Sequence, residues 1–265
     1  MSISIGVDVG STSTKIVLLT DQKIDYMIRP TGWSPRDTGQ QILADLLQEH
    51  HLTRQEINFI VATGYGRVAV SYADKVITEI TCHGRGAAYL VPGVDTVIDI
   101  GGQDSKIIKI TDQGKVLNFM MNDKCAAGTG RFLGVMAVAL GLDVDELGSF
   151  QAAKPAVISN MCTVFAESEV IGLLAQNIAK DAIVSGLHDA IARKIAAMVK
   201  KMGHYSKVAF TGGVALNKGV CRCLEQELRT KILVSEHCQI AGALGAALIG
   251  QDTLTSPFPP KRYIT

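Results

Sequence analysis

Hydrophobic and polar positions alternate in two separate parts of the chain, and in each part a polar turn containing glycine interrupts the alternation. Alternation with a period of two predicts β-strands, and two strands joined by such a turn predict a hairpin. The predicted hairpins pair residues 3–9 with 16–19 and residues 96–100 with 107–110. Asp8 and Asp99 lie near the ends of the first strands and are 91 residues apart, so the repeat predicts a duplicated lobe.

The remaining hydrophobic pattern predicts helices that alternate with short strands. Apolar residues spaced three and four apart predict helices over 34–50, 128–140, 165–178, 188–202, 217–229 and 241–249. Thr38 is the expected N-cap of the first helix. Short apolar runs predict strands over 59–63, 207–211 and 232–234. These elements predict an α/β protein, built either as one extended domain or as two compact lobes.

Composition narrows the classes of function. The 265 residues carry a formal charge of +1 with both signs mixed, so we expect neither nucleic acid nor membrane as a partner. Charges or glycine interrupt every apolar run before it reaches the roughly 18 residues of a membrane span. The first strand is not preceded by the basic segment and following apolar segment of an export signal, so we expect a cytoplasmic protein. In that compartment the six cysteines are expected to bind metal, to act in redox chemistry or to be buried.

Both hairpin turns contain the residue types of a phosphate site. Backbone N–H groups and hydroxyls bind phosphate, and a carboxylate holds Mg²⁺ through water. The first turn supplies Asp8, Gly10, Ser11, Thr12, Ser13 and Lys15. An exposed hairpin tip has a similar composition, but the second turn repeats the pattern as Asp99-Ile-Gly-Gly-Gln-Asp-Ser-Lys. The duplication favours two turns that bind the phosphates of one nucleotide.

A third glycine-bearing turn follows a predicted strand at Phe210-Thr-Gly-Gly-Val-Ala. Glycines allow the backbone to approach a flat or bulky ligand closely, and an adenosine is such a ligand. An ordinary connection from a strand to a helix is the alternative interpretation of the same residues.

Two cysteines stand in matched positions, because Cys125 and Cys162 each lie just before a predicted helix. The exposed N–H groups and the dipole of a helix start favour a thiolate. A cubane iron–sulfur cluster needs four thiolates, which a symmetric dimer would supply from this pair in each copy. On the residues alone, two buried core cysteines are the simpler interpretation, since free cysteine often packs as a small hydrophobe.

The other cysteines give weaker signals. Cys221, Cys223, His237 and Cys238 contain zinc-binding residue types, but side chains two positions apart face different sides of a helix, which disfavours a shared zinc ion. Cys82 and His83 are adjacent, and their pattern assigns them no chemistry. A buried or supporting role is expected for that pair.

Seven motifs spread through nearly the whole chain resemble one protein family. They are Val7-Asp-Val-Gly-Ser-Thr-Ser-Thr-Lys, Ala62-Thr-Gly-Tyr-Gly-Arg, Glu79-Ile-Thr-Cys-His-Gly-Arg-Gly-Ala, Asp99-Ile-Gly-Gly-Gln-Asp-Ser-Lys, Asn122-Asp-Lys-Cys-Ala-Ala-Gly-Thr-Gly-Arg-Phe-Leu, Cys162-Thr-Val-Phe-Ala-Glu-Ser-Glu-Val and Phe210-Thr-Gly-Gly-Val-Ala. The hairpins and the last turn resemble the sugar kinase, actin and chaperone ATPase superfamily. More narrowly, the sequence resembles the activators of 2-hydroxyacyl-CoA dehydratases, which share a family with the ATPase subunits of benzoyl-CoA reductase.

The resemblance implies two ribonuclease H-like lobes around a nucleotide cleft. Residues 1–92 would form the first lobe, with the helix near 241–250 packed back onto it; residues 93–240 would form the second lobe, and 251–265 a tail. The expected catalytic residues are Asp8, Asp99, Gln103 and Asp104, of which the three aspartates would hold Mg²⁺ or orient the attacking water. The implied nucleotide-binding residues are Gly10, Ser11, Thr12, Ser13, Lys15, Gly101, Gly102, Gly212, Gly213, Val214 and Asn217.

The resemblance also implies an electron-transfer function. In the activator family, cysteines in these two motifs hold one [4Fe–4S] cluster that bridges a homodimer, which would make Cys125 and Cys162 its ligands in each copy. ATP hydrolysis to ADP would drive the electron from ferredoxin or flavodoxin to an iron–sulfur dehydratase. The acceptor could instead be a benzoyl-CoA-type or double-cluster reductase. A small-molecule kinase and an ATP-switched scaffold are the rival functions from other classes.

Overall fold

The structure is a computed structural model that describes residues 2–21 and 23–255. Of the tail expected over 251–265, residues 251–255 are helical, and the rest lies outside the described residues. The strands are β1 (Ser4–Val9), β2 (Ser13–Leu19), β3 (Ile24–Pro30), β4 (Phe59–Thr63), β5 (Lys75–Val76), β6 (Thr96–Ile100), β7 (Ser105–Ile110), β8 (Val116–Asn122), β9 (Val208–Thr211) and β10 (Ile232–Leu233). The α-helices are α1 (Pro35–Glu49), α2 (Glu79–Leu90), α3 (Gly130–Leu140), α4 (Thr163–Ala175), α5 (Lys180–Lys201), α6 (Lys218–Leu228) and α7 (Ala241–Thr255).

The start of α1 corrects one prediction. Ser34, not Thr38, is the N-cap, and its hydroxyl accepts a hydrogen bond from the Asp37 N–H. Pro35 follows at the first helical position, where its missing N–H costs nothing. Thr38 lies inside the helix and donates its hydroxyl proton to the carbonyl oxygen of Thr31 at 2.8 Å.

The chain divides into two compact units. Unit 1 comprises the residues up to Leu90, the short segment Gln113–Lys115 and the C-terminal part from Ile240. Unit 2 comprises Val91–Asp112 and Val116–Gln239. Helix α7 therefore belongs to the same unit as β1, although more than 200 residues separate them in the sequence.

The two units repeat one sheet topology. The strand order is β3-β2-β1-β4-β5 in unit 1 and β8-β7-β6-β9-β10 in unit 2. In each sheet the first three strands of that order pair antiparallel and the last two join in parallel. This repeat confirms the two-lobed α/β fold and the duplication expected from the hairpins.

Burial of apolar side chains places helices against these sheets. In unit 1, Ile5 and Val7 of β1 pack in one cluster with Ile42 of α1, and Val17 of β2 packs in another with Leu244 of α7. In unit 2, one cluster joins strands β6, β7 and β9 to helices α3, α4, α5 and α6. Both faces of the unit 1 sheet are therefore buried, because α1 covers one face and α7 covers the other.

The small residues of α7 allow helix α2 to lie almost in backbone contact with it. A Cβ atom added at Gly245 would lie 1.8 Å from the carbonyl oxygen of Cys82 in α2, and one added at Gly86 would lie 1.9 Å from the carbonyl oxygen of Ala241. A side chain larger than hydrogen at Gly86 or Gly245 must therefore push the two helices apart.

We predict that Gly245→Ala destabilises the protein by about 3 kcal/mol, because the added methyl group overlaps backbone that cannot move without repacking unit 1. The matched control is Gly134→Ala on α3, where an added Cβ meets nothing within 4 Å. That substitution should stabilise by roughly 0.5–1 kcal/mol, since alanine is the better helix former. Urea unfolding measures both, and equal effects of the two variants would contradict the close packing of α2 and α7.

Candidate functional site

The turn between β1 and β2 is closed by its own backbone and supported by Thr31. The Gly10 N–H donates to the Ser13 carbonyl oxygen at 3.1 Å. Thr31 donates its N–H to the Thr12 carbonyl at 3.0 Å and its hydroxyl to the Gly10 carbonyl at 2.8 Å. Ser11 and Thr12 remain exposed at the tip. The turn is thus a fixed, solvent-facing group of amides and hydroxyls, as a phosphate site requires.

Asp8 lies at the base of this turn, where it is 5% exposed. The Lys15 ammonium nitrogen lies 3.7 Å from its carboxylate. Gly64, in the left-handed region at φ +88°, approaches so closely that a Cβ atom there would lie 2.3 Å from Asp8 Oδ1. Sequence reasoning did not assign Gly64 to the site; the signal was a Thr-Gly pair at the end of strand β4.

The turn between β6 and β7 repeats this arrangement. The Gly101 N–H donates to the Asp104 carbonyl at 3.0 Å, as Gly10 does to Ser13. Asp99 is 2% exposed, and its carboxylate accepts a hydrogen bond from the Thr211 hydroxyl at 2.9 Å. Gly102 is half-buried and Gln103 is exposed at the tip.

Lys106 is a site residue that the sequence reasoning missed. Its side chain is 3% exposed, and its ammonium nitrogen lies 3.3 Å from Asp99 and 2.8 Å from Asp104. The strand register pairs Asp99 with Lys106 as it pairs Asp8 with Lys15. The equal spacing of the two Asp–Lys pairs was the available signal. Lys106 therefore neutralises and fixes both carboxylates of the second turn.

Gly212 occupies in unit 2 the position that Gly64 occupies in unit 1. The parallel registers pair Asp99 with Thr211 and Asp8 with Thr63, and the following glycine has φ +88° in both units. A Cβ atom at Gly212 would lie 2.3 Å from the Ile100 carbonyl oxygen. Close approach of two backbone segments therefore requires glycine here.

The residues after Gly212 have separate settings. Gly213 is exposed and opens a short 3₁₀ turn, while Val214 is buried. Asn217 is the N-cap of α6, and its side-chain oxygen accepts a hydrogen bond from the Val220 N–H at 3.0 Å. This cap fixes the orientation of Asn217 and leaves its nucleotide role a prediction.

Helix α3 begins in direct contact with the second turn. The Gly130 N–H donates to the Gly101 carbonyl and the Arg131 N–H to the Gly102 carbonyl, both at 2.9 Å. These N–H groups have no partner inside their own helix, so the turn satisfies them. The second turn thus supports the first turn of the helix that follows Cys125.

Cys125 is exposed on the loop between β8 and α3. Asn122 donates its side-chain N–H to the Cys125 carbonyl at 2.9 Å, and Lys194 of α5 donates to the Ala127 carbonyl at 2.7 Å. The loop is therefore held from two sides while its thiol faces solvent.

Cys162 is exposed as the N-cap of α4, and its carbonyl accepts the Ala166 N–H at 2.8 Å. The loops that carry the two exposed cysteines are neighbours in unit 2, because a Cβ atom added at Gly128 would lie 3.9 Å from the terminal carbon of Met161. The structure thus places the loops of this matched pair side by side.

The other four cysteines differ from this pair in burial. Burial raises the pKa of Cys82 and of Cys223 to about 12 and that of Cys221 to about 11, and it also raises that of Cys238. These thiols stay protonated at neutral pH. Among residues 2–21 and 23–255, no group of three or more His, Cys, Asp or Glu side chains is placed to hold a metal ion.

In the same described part of the chain, no helix is both long and apolar enough to cross a membrane.

Two units with one topology, each bearing an Asp-x-Gly turn and a Thr-Gly turn, are typical of the actin-like ATPase fold. The model of the BadF/BadG/BcrA/BcrD ATPase family matches residues 5–250, and the chain belongs to this family. The chain is 44% identical over 252 residues to the 2-hydroxyisocaproyl-CoA dehydratase activator of Clostridioides difficile, covering 94% of this chain and 95% of that protein.

Two solved structures are similar along nearly their whole length. Component A of the Acidaminococcus fermentans (R)-2-hydroxyglutaryl-CoA dehydratase is 40% identical with a TM-score of 0.92, covering 97% of this chain and 100% of that one. The activator of the Clostridium difficile 2-hydroxyisocaproyl-CoA dehydratase with bound ADPNP is 42% identical with a TM-score of 0.89, covering 99% of each chain. These comparisons confirm the family, the fold and the ATPase class expected from the motifs.

Proposed function

We propose that the protein is an ATP-hydrolysing one-electron donor that activates a 2-hydroxyacyl-CoA dehydratase-type iron–sulfur partner. Similarity to the activator of one such dehydratase, whose solved structure contains bound ADPNP, supports this assignment. The electron donor would be ferredoxin or flavodoxin, and the acceptor could also be a benzoyl-CoA-type or double-cluster reductase. This chemistry needs a reducing compartment, so we assign the protein to the cytoplasm.

In this proposal each Asp-x-Gly turn binds nucleotide phosphate. The amides and hydroxyls of residues 10–13 and 101–103 would bind the phosphate oxygens, with Lys15 supplying positive charge. Within each turn the carboxylates would hold Mg²⁺ through water or orient the attacking water; they are Asp8 in the first turn and Asp99 and Asp104 in the second, beside the exposed Gln103. Gly212, Gly213, Val214 and Asn217 would border the nucleoside. Bound Mg²⁺ would neutralise phosphate charge during hydrolysis.

Cys125 and Cys162 fit half of a [4Fe–4S] site. Both thiols are exposed on neighbouring loops, and a cluster needs four thiolates. A homodimer would supply two from each copy, and exposed Val164, Phe165 and Ile171 on α4 give apolar surface for a second copy beside Cys162. One bound cluster per homodimer would supply the one-electron carrier.

The observation that carries a link between ATP and the cysteines is the bonding of α3 to the second turn. Gly130 and Arg131 donate to Gly101 and Gly102, and Cys125 precedes Gly130 by five residues. A nucleotide that moves or stiffens the turn must act on the first turn of α3, because backbone hydrogen bonds join the two directly. A scaffold or a small-molecule kinase has no need of this link to a thiol.

We predict that Gly130→Pro weakens this coupling. Gly130 is the first residue of α3 and follows an extended Thr129, so proline is compatible with the helix start. Proline removes the N–H donor to Gly101 and places ring carbons against the same carbonyl oxygen, which would lie 3.3 Å from even an added Cβ atom, so both effects break the link. The readout is the rate at which a chelator removes the cluster, with and without ADPNP. Nucleotide should change this rate by about 5- to 150-fold in the parent, the range of typical couplings, and severalfold less in the variant.

The matched control for that variant is Lys180→Pro. Lys180 is the first residue of α5 and also follows an extended residue, but its helix start does not bond to the turn. Nucleotide affinity is measured separately for each protein. Parent-like nucleotide dependence in Gly130→Pro would contradict the proposed coupling.

The whole proposal is tested by anaerobic purification followed by iron, sulfide and absorbance measurements per dimer. We expect four irons per dimer, a visible absorbance band and hydrolysis of ATP. A colourless protein that phosphorylates a sugar in air would support the kinase. Nucleotide-dependent polymers in light scattering, in place of a discrete dimer, would support the scaffold.

A further inference from the structure

The segment that leads to Cys162 contains neither a helix nor a strand over residues 151–162, yet its first part is anchored. The Ala152 N–H donates to the Ser185 hydroxyl at 2.8 Å, and the Ala156 N–H donates to the Ala182 carbonyl at 2.9 Å. Ile158 is buried at 4% exposure. These bonds and this burial hold the segment against α5 as far as Ile158.

The carboxylate of Glu169 holds the residues that lie just before Cys162. Its Oε1 accepts hydrogen bonds from the Ser159 N–H at 2.9 Å and the Ser159 hydroxyl at 2.8 Å. Its Oε2 accepts the Asn160 N–H at 3.0 Å. Partial burial opposes ionisation, but these bonds outweigh it and lower the pKa of Glu169, so the carboxylate is charged at neutral pH.

Glu169 lies seven residues after Cys162, on the helix that Cys162 caps. The bonds from Glu169 therefore close a ring that runs from Ser159 through Cys162 and along two turns of α4. Ser159 and Asn160 are exposed and outside regular structure, so packing alone does not fix them. The main chain is held before Cys162 by Glu169 and after it by the helix.

We propose that Glu169 is a positioning residue for the Cys162 thiolate. The inference rests on the proposed function, in which Cys162 must meet three other thiolates at fixed separations. A thiol on a mobile loop loses conformational freedom when a cluster binds, whereas a thiol on a closed ring has lost it already. Groups that orient a metal ligand without touching the metal typically contribute about 10- to 100-fold in metal affinity.

The test compares Glu169→Ala with Glu167→Ala in the full-length dimer loaded with its cluster. Glu167 lies on the same helix and makes none of the bonds to Ser159 and Asn160, so it controls for loss of one negative charge from α4. Loss of visible absorbance to an iron chelator should be about tenfold faster in Glu169→Ala than in the parent. Glu167→Ala should match the parent, and equal rates in the two variants would overturn the proposal.

Two further measurements keep the inference separate from folding and from the proposed function. If Glu169→Ala unfolds by circular dichroism, Glu169→Gln replaces it, since glutamine retains one acceptor oxygen and should give an intermediate rate. If the parent binds no cluster, the proposed function fails, and hydrogen exchange in the cluster-free chain tests the positioning. The Ser159 and Asn160 amides should then exchange about tenfold faster in the variant; unchanged protection overturns the role of Glu169.

Discussion

Replacing either Cys125 or Cys162 with alanine should abolish the visible absorbance of the anaerobically purified protein and its electron transfer, while leaving a folded chain that binds ATP. The two thiols are exposed, so truncation leaves no buried cavity and costs little stability. Each substitution removes two of the four thiolates of a dimer, because every copy carries it. A cluster with two remaining cysteine ligands is not retained.

The control for this experiment is Cys223→Ala. Cys223 is half-buried on α6, and burial raises its pKa to about 12, so it stays protonated. That variant should keep the full iron content. Iron and sulfide analysis, absorbance and ATP binding are measured on all three variants, and an intact chromophore in Cys125→Ala would refute the cysteine assignment.

The sequence predicted the hairpins well because the strands around each turn are apolar and the turns are strongly polar. Strands β3 and β8 were not predicted, since both include exposed positions and lack the clean alternation of β1 and β6. Helix α2 was missed because its residues include two glycines, which weaken a helical pattern. Packing against α7 stabilises α2, and the residues of α7 are too distant in the sequence for a local pattern to indicate that contact.

The candidate site shows the same division between local and distant information. Asp8 and Asp99 could be predicted because each turn is contiguous in sequence. The pairing of Lys106 with two carboxylates depends on the register of β6 and β7, and the contact of α3 with Gly101 joins residues 29 positions apart. Only the folded backbone brings these groups together.

The cysteines required both sources of information. Local sequence favoured burial for Cys125 and Cys162, whereas the family motifs favoured metal ligation. The structure separates them from the other four by exposure and places their loops side by side. Exposure is decided by tertiary packing, so composition and spacing could not have provided this distinction.

Replacing Lys106 with methionine should destabilise the protein more than replacing Lys15, although the two lysines occupy equivalent positions in the duplicated hairpins. Lys106 is almost fully buried and pairs with both Asp99 and Asp104. Removing one partner of a buried ion pair leaves uncompensated charge, which costs about 3–5 kcal/mol. Lys15 keeps 18% of its side chain exposed and lies 3.7 Å from one carboxylate, so its loss should cost about 1–3 kcal/mol.

Urea unfolding of Lys106→Met and Lys15→Met measures this difference. Adding Asp104→Asn to Lys106→Met removes one of the two carboxylates that faced Lys106, so the double variant should recover part of the lost stability. If the two substitutions acted independently, the double variant would show no such recovery. ATP hydrolysis should fall in Lys106→Met, because Asp99 and Asp104 lose the cation that fixes them. Equal destabilisation by the two lysine variants would show that burial does not distinguish the second turn from the first.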